Sequence, residues 1–201
     1  VLSDELSGTH RHFANRMRRS SKRLMDTLNS VLQLSKLEAD LETPDPSSLD
    51  LAHELQEVAE MLAPRADEAD VDLQLKLNER PLLIVSDRAA ICRIAMNLAG
   101  NAIKFTEAGG RVELRAARNG DHVIMEVEDT GIGISDEFQD RLFEAFTQES
   151  TGLQREHEGS GLGLAIVDRL VDLVGGTMDV ESTKGEGTTF KVVLPASGPT
   201  A

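Results

Sequence analysis

The apolar positions divide the chain into one long helix and a mixed region that follows it. Residues 13–41 contain neither proline nor glycine, and their apolar side chains recur every three or four positions, which predicts an amphipathic helix. Its basic residues come early and its acidic residues late, an order that opposes the helix dipole at both ends. We therefore expect packing to stabilise it. A helix bundle is the favoured setting, and a helix lying on its own domain is the alternative.

Two prolines and several small polar residues end this helix. The run Thr43-Pro44-Asp45-Pro46-Ser47-Ser48 breaks a helix and is typical of a linker. We therefore predict four parts: a helical segment 1–43, a linker 44–48, a folded domain 49–196 and a tail 197–201.

The second region mixes helical and strand patterns without strict alternation. The predicted elements, in order, are a helix to Ala69 capped by Ser48 or Asp50, strands 71–77 and 82–85, a helix to Phe105 capped by Ser86 or Asp87, hairpin strands 111–117 and 123–128, a short helix near 136–143, a helix 162–174, and strands 178–182 and 189–194. This order favours the α+β class, as a two-layer α/β sandwich. Expected core residues are Val123, Met125, Val127, Leu164, Val167, Val180, Phe190 and Val192.

Composition narrows the classes of function. The chain has 201 residues, and 21 Lys plus Arg against 35 Asp plus Glu give a net charge of −14. It contains no Trp and no Tyr, aromatic residues that commonly stack on bases. Nucleic-acid binding is therefore not expected. No apolar run is long enough to span a bilayer, so no membrane contact is expected within this sequence. The single Cys92 suits a reducing compartment and is expected to be a small core residue.

Three glycine clusters punctuate the second region, at 129–134, 159–164 and 185–190. Each taken alone is explained by a tight turn. The cluster at 159–164 opens a predicted helix, whose free N–H groups suit an anion such as phosphate. The cluster at 129–134 begins with Asp129, which can accept a hydrogen bond from an amino group, and Gly131 and Gly133 allow a flat ring to approach the backbone.

A fourth feature is a polar face on the helix before the hairpin. Asn97, Asn101 and Lys104 are spaced four and three residues apart, so their side chains share one face. Carboxamide oxygens and an ammonium group suit Mg²⁺ and phosphate, because Mg²⁺ takes few protein oxygens when water and phosphate supply the rest. A solvated polar face is the alternative.

Together these features resemble, in the same order, the catalytic ATP-binding domain of sensor histidine kinases. The asparagine box corresponds to 97–106, the first glycine box to 129–134, the phenylalanine box to 142–146, the second glycine box to 159–164 and the last to 185–190. The resemblance covers residues 49–195. It implies the Bergerat or GHKL fold that is shared with gyrase and a chaperone family.

The resemblance also implies roles. Asn101 would bind Mg²⁺, Asn97 and Lys104 would contact phosphate, and Asp129 would accept from the adenine amine. Catalysis would use Asn97 and Lys104 together with Arg155, a basic residue of a lid at 147–158 that meets the γ-phosphate. The implied ATP-binding set is Asn97, Asn101, Lys104, Asp129, Gly131, Gly133, Phe146, Gly159, Gly161, Leu162, Gly163, Leu164, Thr188 and Thr189. Glu158 departs from the family pattern, where a small residue is usual.

Residues 24–40 resemble the second helix of the family's dimerisation and phosphotransfer hairpin. His10 and His12 match the turn between the hairpin's two helices, and His53 is interpreted as an ordinary helix residue because no Thr-Pro pair follows it. We therefore expect the phosphoacceptor histidine to lie upstream of this sequence, so that this chain binds ATP and Mg²⁺ without labelling itself.

The resemblance implies that the parent protein passes its phosphoryl group to an Asp on a response-regulator receiver domain. It also implies a homodimeric parent and a cytoplasmic location, which includes the cytoplasmic part of a membrane-bound sensor. For this chain alone we predict a monomer or a non-native helix pairing.

Two other functions remain open from the sequence. One is a degenerate ATP-sensing module that regulates through partner contacts, for which Glu158 would be a mark. The other is a gyrase-like or chaperone-like ATPase. Asn97 stands where gyrase has its carboxylate base, which argues against efficient hydrolysis.

Overall fold

The computed structural model describes residues 8–39, 41–148 and 160–198. The helices are α1 (Gly8–Glu38), α2 (Leu51–Ala69), α3 (Arg88–Phe105), α4 (Asp136–Gln139) and α5 (Gly163–Leu173). The strands are β1 (Pro46–Asp50), β2 (Asp72–Leu77), β3 (Leu83–Asp87), β4 (Arg111–Asn119), β5 (His122–Asp129), β6 (Thr177–Thr183) and β7 (Gly187–Pro195). In these described parts, no helix has the length and apolar character that crossing a membrane requires.

A five-stranded sheet organises the domain, in the order β2-β4-β5-β7-β6. Strands β2 and β4 are parallel, and the other neighbours are antiparallel. Helices α2, α3 and α5 pack against the sheet, with α3 between the other two. Alternate residues of the strands point to this helix layer, while charged side chains cover the other face. The predicted two-layer α/β sandwich is confirmed.

The core lies between the helices and the sheet. Of the eight predicted core residues, the structure buries Val123, Met125, Val127, Val167, Phe190 and Val192. Leu164 and Val180 are partly buried instead. Leu164 lies in the first turn of α5, and Val180 lies on the edge strand β6, so each has a neighbouring element on fewer sides.

The predicted linker contains a strand that sequence reasoning missed. Strand β1 pairs antiparallel with β3, so part of the 44–48 segment belongs to a two-stranded sheet. Pro46 is the first residue of this strand, a position where the missing N–H is tolerated. The N–H of Asp45 also donates to Asp87 Oδ2 at 2.9 Å. The limits of the four parts remain a prediction.

Aspartates cap two of the helices. Asp50 Oδ1 accepts from the N–H of Ala52 at 3.1 Å and from that of Leu82 at 2.8 Å, so it also joins α2 to the segment before β3. Asp87 Oδ1 accepts from the N–H of Ala90 at 2.9 Å and begins α3. Of the two capping candidates at each helix, the structure uses the aspartate.

Helix α1 begins earlier than predicted and packs on its own domain only near its end. It starts at Gly8, so the interpretation of His10 and His12 as turn residues is wrong. Leu34 and Leu37 are buried, and the end of α1 contacts α5. Earlier in the helix, large apolar side chains are exposed: Phe13, Met17, Leu24, Met25, Leu28 and Leu32. The alternative expectation, that this helix lies on its own domain, therefore holds only for the C-terminal end of α1.

Candidate functional site

The asparagine-bearing face of α3 meets the start of α5. A β-carbon added to Gly163 would stand 3.3 Å from Asn97 Oδ1 and 3.8 Å from Asn101 Nδ2. Both asparagines are half-buried. The structure therefore brings together two of the sequence-predicted features, the polar helix face and the second glycine cluster. The first N–H groups of α5 lie beside two carboxamides, a suitable environment for an anion.

Two further contacts orient this face. Asn97 Nδ2 donates to the carbonyl of Arg93, one turn earlier, at 2.9 Å, which leaves Oδ1 directed towards Gly163. The ammonium of Lys104 lies 4.5 Å from the ring centre of Phe105, in a cation–π arrangement. Because Phe105 is the last residue of α3, this contact places the Lys104 charge close to the C-terminal end of the helix.

The C-terminal end of α3, at Phe105, touches the first glycine cluster. The N–H of Ile132 donates to the carbonyl of Phe105 at 3.1 Å. A β-carbon on Gly131 would collide with that same carbonyl oxygen. Gly133 has a φ of +60°, and a β-carbon there would collide with the carbonyl oxygen of Thr183. Only glycine fits both positions, because a side chain would meet backbone atoms that cannot move aside.

Asp129 ends β5 with a buried carboxylate. Its side chain is 8% exposed, and its Oδ1 accepts from the N–H of Gly131 at 2.8 Å. Burial raises the pKa of the Asp129 carboxyl, backbone hydrogen bonds from Gly131 and Thr188 oppose the rise, and the charge of Glu128 adds to it. The site therefore places a hydrogen-bond acceptor in a poorly solvated position.

Asp129 lines a cleft of about 180 Å³ at one end of the sheet. Its lining includes Ser182, Thr188 and Thr189, and three further carboxylates: Glu128, Glu181 and Glu186. In the strand register Thr188 lies opposite Asp129, so these two share a face, while Thr189 lies opposite Glu128. The cleft is acidic, so it suits a neutral hydrogen-bond donor better than phosphate. The junction of α3 and α5 offers the environment better suited to an anion.

Phe146 and Gly161 meet on either side of a segment outside the described residues. The N–H of Phe146 donates to the carbonyl of Gly161 at 3.0 Å, and both residues have positive φ. The ring of Phe146 is 65% exposed. Leu162 is fully buried and belongs to the hydrophobic core, so its side chain is not exposed to a ligand. The predicted site residues Arg155 and Gly159, and the departure at Glu158, lie outside the described residues.

Sequence reasoning missed Ser182, which lies between the cleft and the first glycine cluster. Its hydroxyl contacts Ile134, Gly187 and Thr188. The available signal was the period-two pattern of β6, since Ser182 follows Met178 and Val180 on the inward face.

Cys92 is half-buried rather than fully in the core. Its Sγ lies 3.2 Å from Oε2 of Glu54, a buried carboxylate that also accepts from Arg88 Nε at 2.9 Å. Burial, together with the hydrogen bond to Glu54, raises the pKa of the Cys92 thiol to about 11. The thiol is therefore protonated at neutral pH and is a poor nucleophile.

Comparison with known proteins identifies the family. A family model described as "Histidine kinase-, DNA gyrase B-, and HSP90-like ATPase" matches residues 86–198, more than half of the chain. The chain belongs to this ATPase family. The match begins just before α3 and ends after β7, so it includes the polar face of α3, the cleft at Asp129 and the start of α5.

The curated relatives of this ATPase domain are sensor histidine kinases. It is 37% identical over 192 residues to the circadian input-output histidine kinase CikA of Synechococcus elongatus, covering 94% of the chain and 26% of that protein. It is 38% identical over 195 residues to the signal transduction histidine-protein kinase BarA of Escherichia coli, covering 94% of the chain and 21% of that protein. The chain thus spans about a quarter of their length. These relatives do not favour the regulatory-module alternative.

Solved structures show the same architecture. The full-length ShkA structure in complex with AMPPNP matches with a TM-score of 0.83 at 34% identity, over 98% of this chain and 41% of that one. Histidine kinase ThkA in complex with response regulator protein TrrA matches with a TM-score of 0.76 over 96% of this chain and 54% of that one. At 21% identity, this second likeness supports the fold alone.

Proposed function

We propose that this ATPase domain binds Mg-ATP and serves as the phosphoryl donor of a histidine kinase, with the γ-phosphoryl going to a histidine outside this sequence. The observation that carries the proposal is the meeting of Asn97 and Asn101 with Gly163 at the start of α5. There, carboxamides and free helix N–H groups face the same small space, as binding a polyphosphate requires.

The two ends of the site select two parts of the nucleotide. At the cleft, Asp129 and Thr188 offer acceptors for an amino group, and the surrounding carboxylates exclude phosphate. At the other end, the N-terminus of α5 attracts negative charge, and the ammonium of Lys104 adds a positive charge to the polar face of α3. Adenine would therefore lie against Gly131 and Gly133, with its amine towards Asp129, and the phosphates would extend along α3.

The residues present fit a magnesium ion. Asn101 supplies a half-buried carboxamide at the phosphate end, and Mg²⁺ needs only one or two protein oxygens when phosphates and water complete its shell. In the described ranges, no group of three or more His, Cys, Asp or Glu side chains could hold a metal ion. When bound, Mg²⁺ would neutralise phosphate charge.

Phosphoryl transfer by this domain would rest on positioning and charge. Asn97 and Lys104 would hold the phosphates in line, and Arg155 would meet the γ-phosphate. The polar face of α3 carries Asn97 where a hydrolysing relative has a carboxylate base, so transfer to an imidazole is favoured over transfer to water. From the histidine, the phosphoryl group would pass to an Asp on a response-regulator receiver domain.

The exposed apolar side chains of α1 support a homodimeric parent. They are available for pairing with further helices, which would bring the acceptor histidine near the nucleotide. A cytoplasmic location follows from the proposed use of ATP.

Calorimetric titration of AMPPNP with Mg²⁺ tests the nucleotide site. We expect saturable binding to the unsubstituted chain, and a loss of about 10- to 100-fold in affinity for Asp129→Asn, since a hydrogen bond to a charged group is removed. Asp179→Asn is the matched control, because Asp179 is an exposed carboxylate on β6. Equal affinity of all three proteins would refute the assignment of Asp129, and no binding by any would refute the site.

Transfer is tested with a longer protein that includes the segment upstream of this sequence. Incubation with γ-labelled ATP is expected to give an acid-labile, base-stable label, and Asn101→Ala is expected to abolish it. An unlabelled protein that binds AMPPNP normally would favour a regulatory role instead.

A further inference from the structure

Ser182 lies at the centre of a hydrogen-bond cluster that joins three parts of the site. Its Oγ lies 2.8 Å from the N–H nitrogen of Ile134, 2.9 Å from the carbonyl oxygen of Gly187 and 2.9 Å from Oγ1 of Thr188. Ile134 ends the first glycine cluster, and the other two partners begin β7. One hydroxyl on β6 therefore touches both the loop at Gly131 and Gly133 and the neighbour of Asp129.

The bonding capacity of a hydroxyl sets the direction of each contact. Ser182 has one hydrogen and two acceptor lone pairs. The Gly187 carbonyl can only accept, so it takes the Ser182 hydrogen, and the N–H of Ile134 can only donate. The second lone pair of Ser182 is then left for Thr188, whose hydroxyl must donate to it. In this arrangement all three contacts are hydrogen bonds at once. If Ser182 donated to Thr188 instead, it would leave the Gly187 contact without a hydrogen.

The hydroxyl of Thr188 therefore presents only lone pairs to the cleft. Thr188 is 7% exposed, so its hydroxyl has little freedom to turn to water instead. It lies opposite Asp129 in the strand register, and the Asp129 carboxylate is also an acceptor. Two acceptors side by side favour a ligand group that carries two hydrogens, an amino group or a water. A carbonyl oxygen at the same place would face lone pairs on both sides.

We propose that Ser182 is a positioning residue that fixes the Thr188 hydroxyl as an acceptor, so that the site selects a 6-amino purine over a 6-oxo purine. The inference rests on the proposed nucleotide function and deepens it. Asp129 alone would select an amino group through one contact, and Ser182 adds a second by settling where the Thr188 proton goes. Its role is selectivity, and it touches no reacting atom.

The ratio of the dissociation constants of IDP and ADP, measured by calorimetry with Mg²⁺, reports this selectivity. ADP carries an amino group and IDP a carbonyl at the same ring position. We expect the ratio to fall about 3- to 10-fold in Ser182→Ala, because the Thr188 hydroxyl can then turn and donate to the carbonyl. Ser182→Thr retains a hydroxyl and is expected to restore the ratio. Thr177→Ala, at the exposed far end of β6, is the matched control and should leave the ratio unchanged.

A double-substitution cycle separates this role from a general effect on the fold. In a Thr188→Val background the hydroxyl is gone, so Ser182→Ala should no longer change the ratio. If Ser182→Ala does not fold, Ser182→Cys keeps the side-chain volume and is expected to show the same fall. The inference would be overturned, with the proposed function left standing, by either of two results. One is that Ser182→Ala weakens the binding of ADP and IDP equally, and the other is that Ser182→Ala changes the ratio as much in the Thr188→Val background as in the unsubstituted chain. Absence of ADP binding to the unsubstituted chain would overturn the proposed function and this inference with it.

Discussion

The side-chain oxygen of Asn97 lies 3.3 Å from the point where a β-carbon on Gly163 would stand. The two residues come from different helices, α3 and α5, and a methyl group at Gly163 would fit only if the Asn97 carboxamide shifted by a few tenths of an ångström. This closeness defines the width of the proposed phosphate end. A methyl group placed there would push the Asn97 carboxamide aside while leaving the helix itself intact.

Gly163→Ala is therefore expected to weaken nucleotide binding without unfolding the domain. Gly163 has helical backbone angles, so alanine is acceptable there and stability should change by less than about 1 kcal/mol. The displaced carboxamide should lower ADP affinity about tenfold, and adenosine, which lacks phosphates, should be unaffected. Calorimetry with both ligands and urea unfolding measure the two effects.

Gly161→Ala, two residues away, is the contrasting variant. Gly161 has a φ of +70°, and its β-carbon would stand 2.9 Å from the backbone carbon of Phe146. It should lose at least about 1–2 kcal/mol of stability. The proposed geometry would be wrong if Gly163→Ala bound ADP as the unsubstituted chain does.

Protonation of Glu113 is expected to lower the stability of the domain in acid. Hydrogen bonds from Lys76 at 2.5 Å and Arg115 at 2.9 Å hold the pKa of this carboxyl below its usual value. A carboxyl with a lowered folded-state pKa contributes stability above its unfolded pKa of about 4.5, and the contribution is lost as the pH falls through the folded value.

Urea unfolding at pH 7 and pH 3 measures this contribution. Glu113→Gln should cost about 1–3 kcal/mol at pH 7, and the difference from the unsubstituted chain should shrink at pH 3. Glu137→Gln, at an exposed carboxylate, is the control and should change little at either pH. A difference between Glu113→Gln and the unsubstituted chain that stayed constant with pH would contradict the role given to Glu113.

Leu37 is expected to hold the end of α1 against the domain. It is 7% exposed, whereas Leu32 on the same helix is 61% exposed. Truncating a packed leucine to alanine costs about 2–5 kcal/mol. Leu37→Ala should therefore speed amide hydrogen exchange in the second half of α1 at least about tenfold, and Leu32→Ala should not. Equal exchange in the two variants would mean that the contact contributes nothing in solution.

Cys92 is expected to resist alkylation although it is half-buried rather than enclosed. With its pKa raised to about 11, the folded thiol should react with iodoacetamide at pH 8 on the order of 100-fold more slowly than a free cysteine. Glu54→Gln removes the carboxylate that lies 3.2 Å from Sγ and should raise the rate severalfold. Glu57→Gln, which also loses a partner of Arg88 but not of Cys92, is the control. A rate typical of a free cysteine would show that the thiol is not held as described.

The elements that the sequence predicted correctly depend on residues that are close together in the chain. The caps at Asp50 and Asp87 and the hairpin between β4 and β5 follow from residues a few positions apart, and the structure confirms them. Strand β1 was missed because its partner is about 40 residues away and its first residue is a proline. The start of α1 was missed because Gly8 is a weak helix former that the pattern gave no reason to include.

The sequence by itself determined which chemical groups this protein has available. The helical spacing of Asn97, Asn101 and Lys104, and a carboxylate in front of Gly131, are consequences of local periodicity and turn chemistry. Only the tertiary structure decided which groups meet: Asn97 with Gly163, Thr188 with Asp129, and Ser182 with three partners from two other segments. The physical reason is that these contacts depend on sheet register and helix packing, which join residues distant in the chain and leave no local pattern.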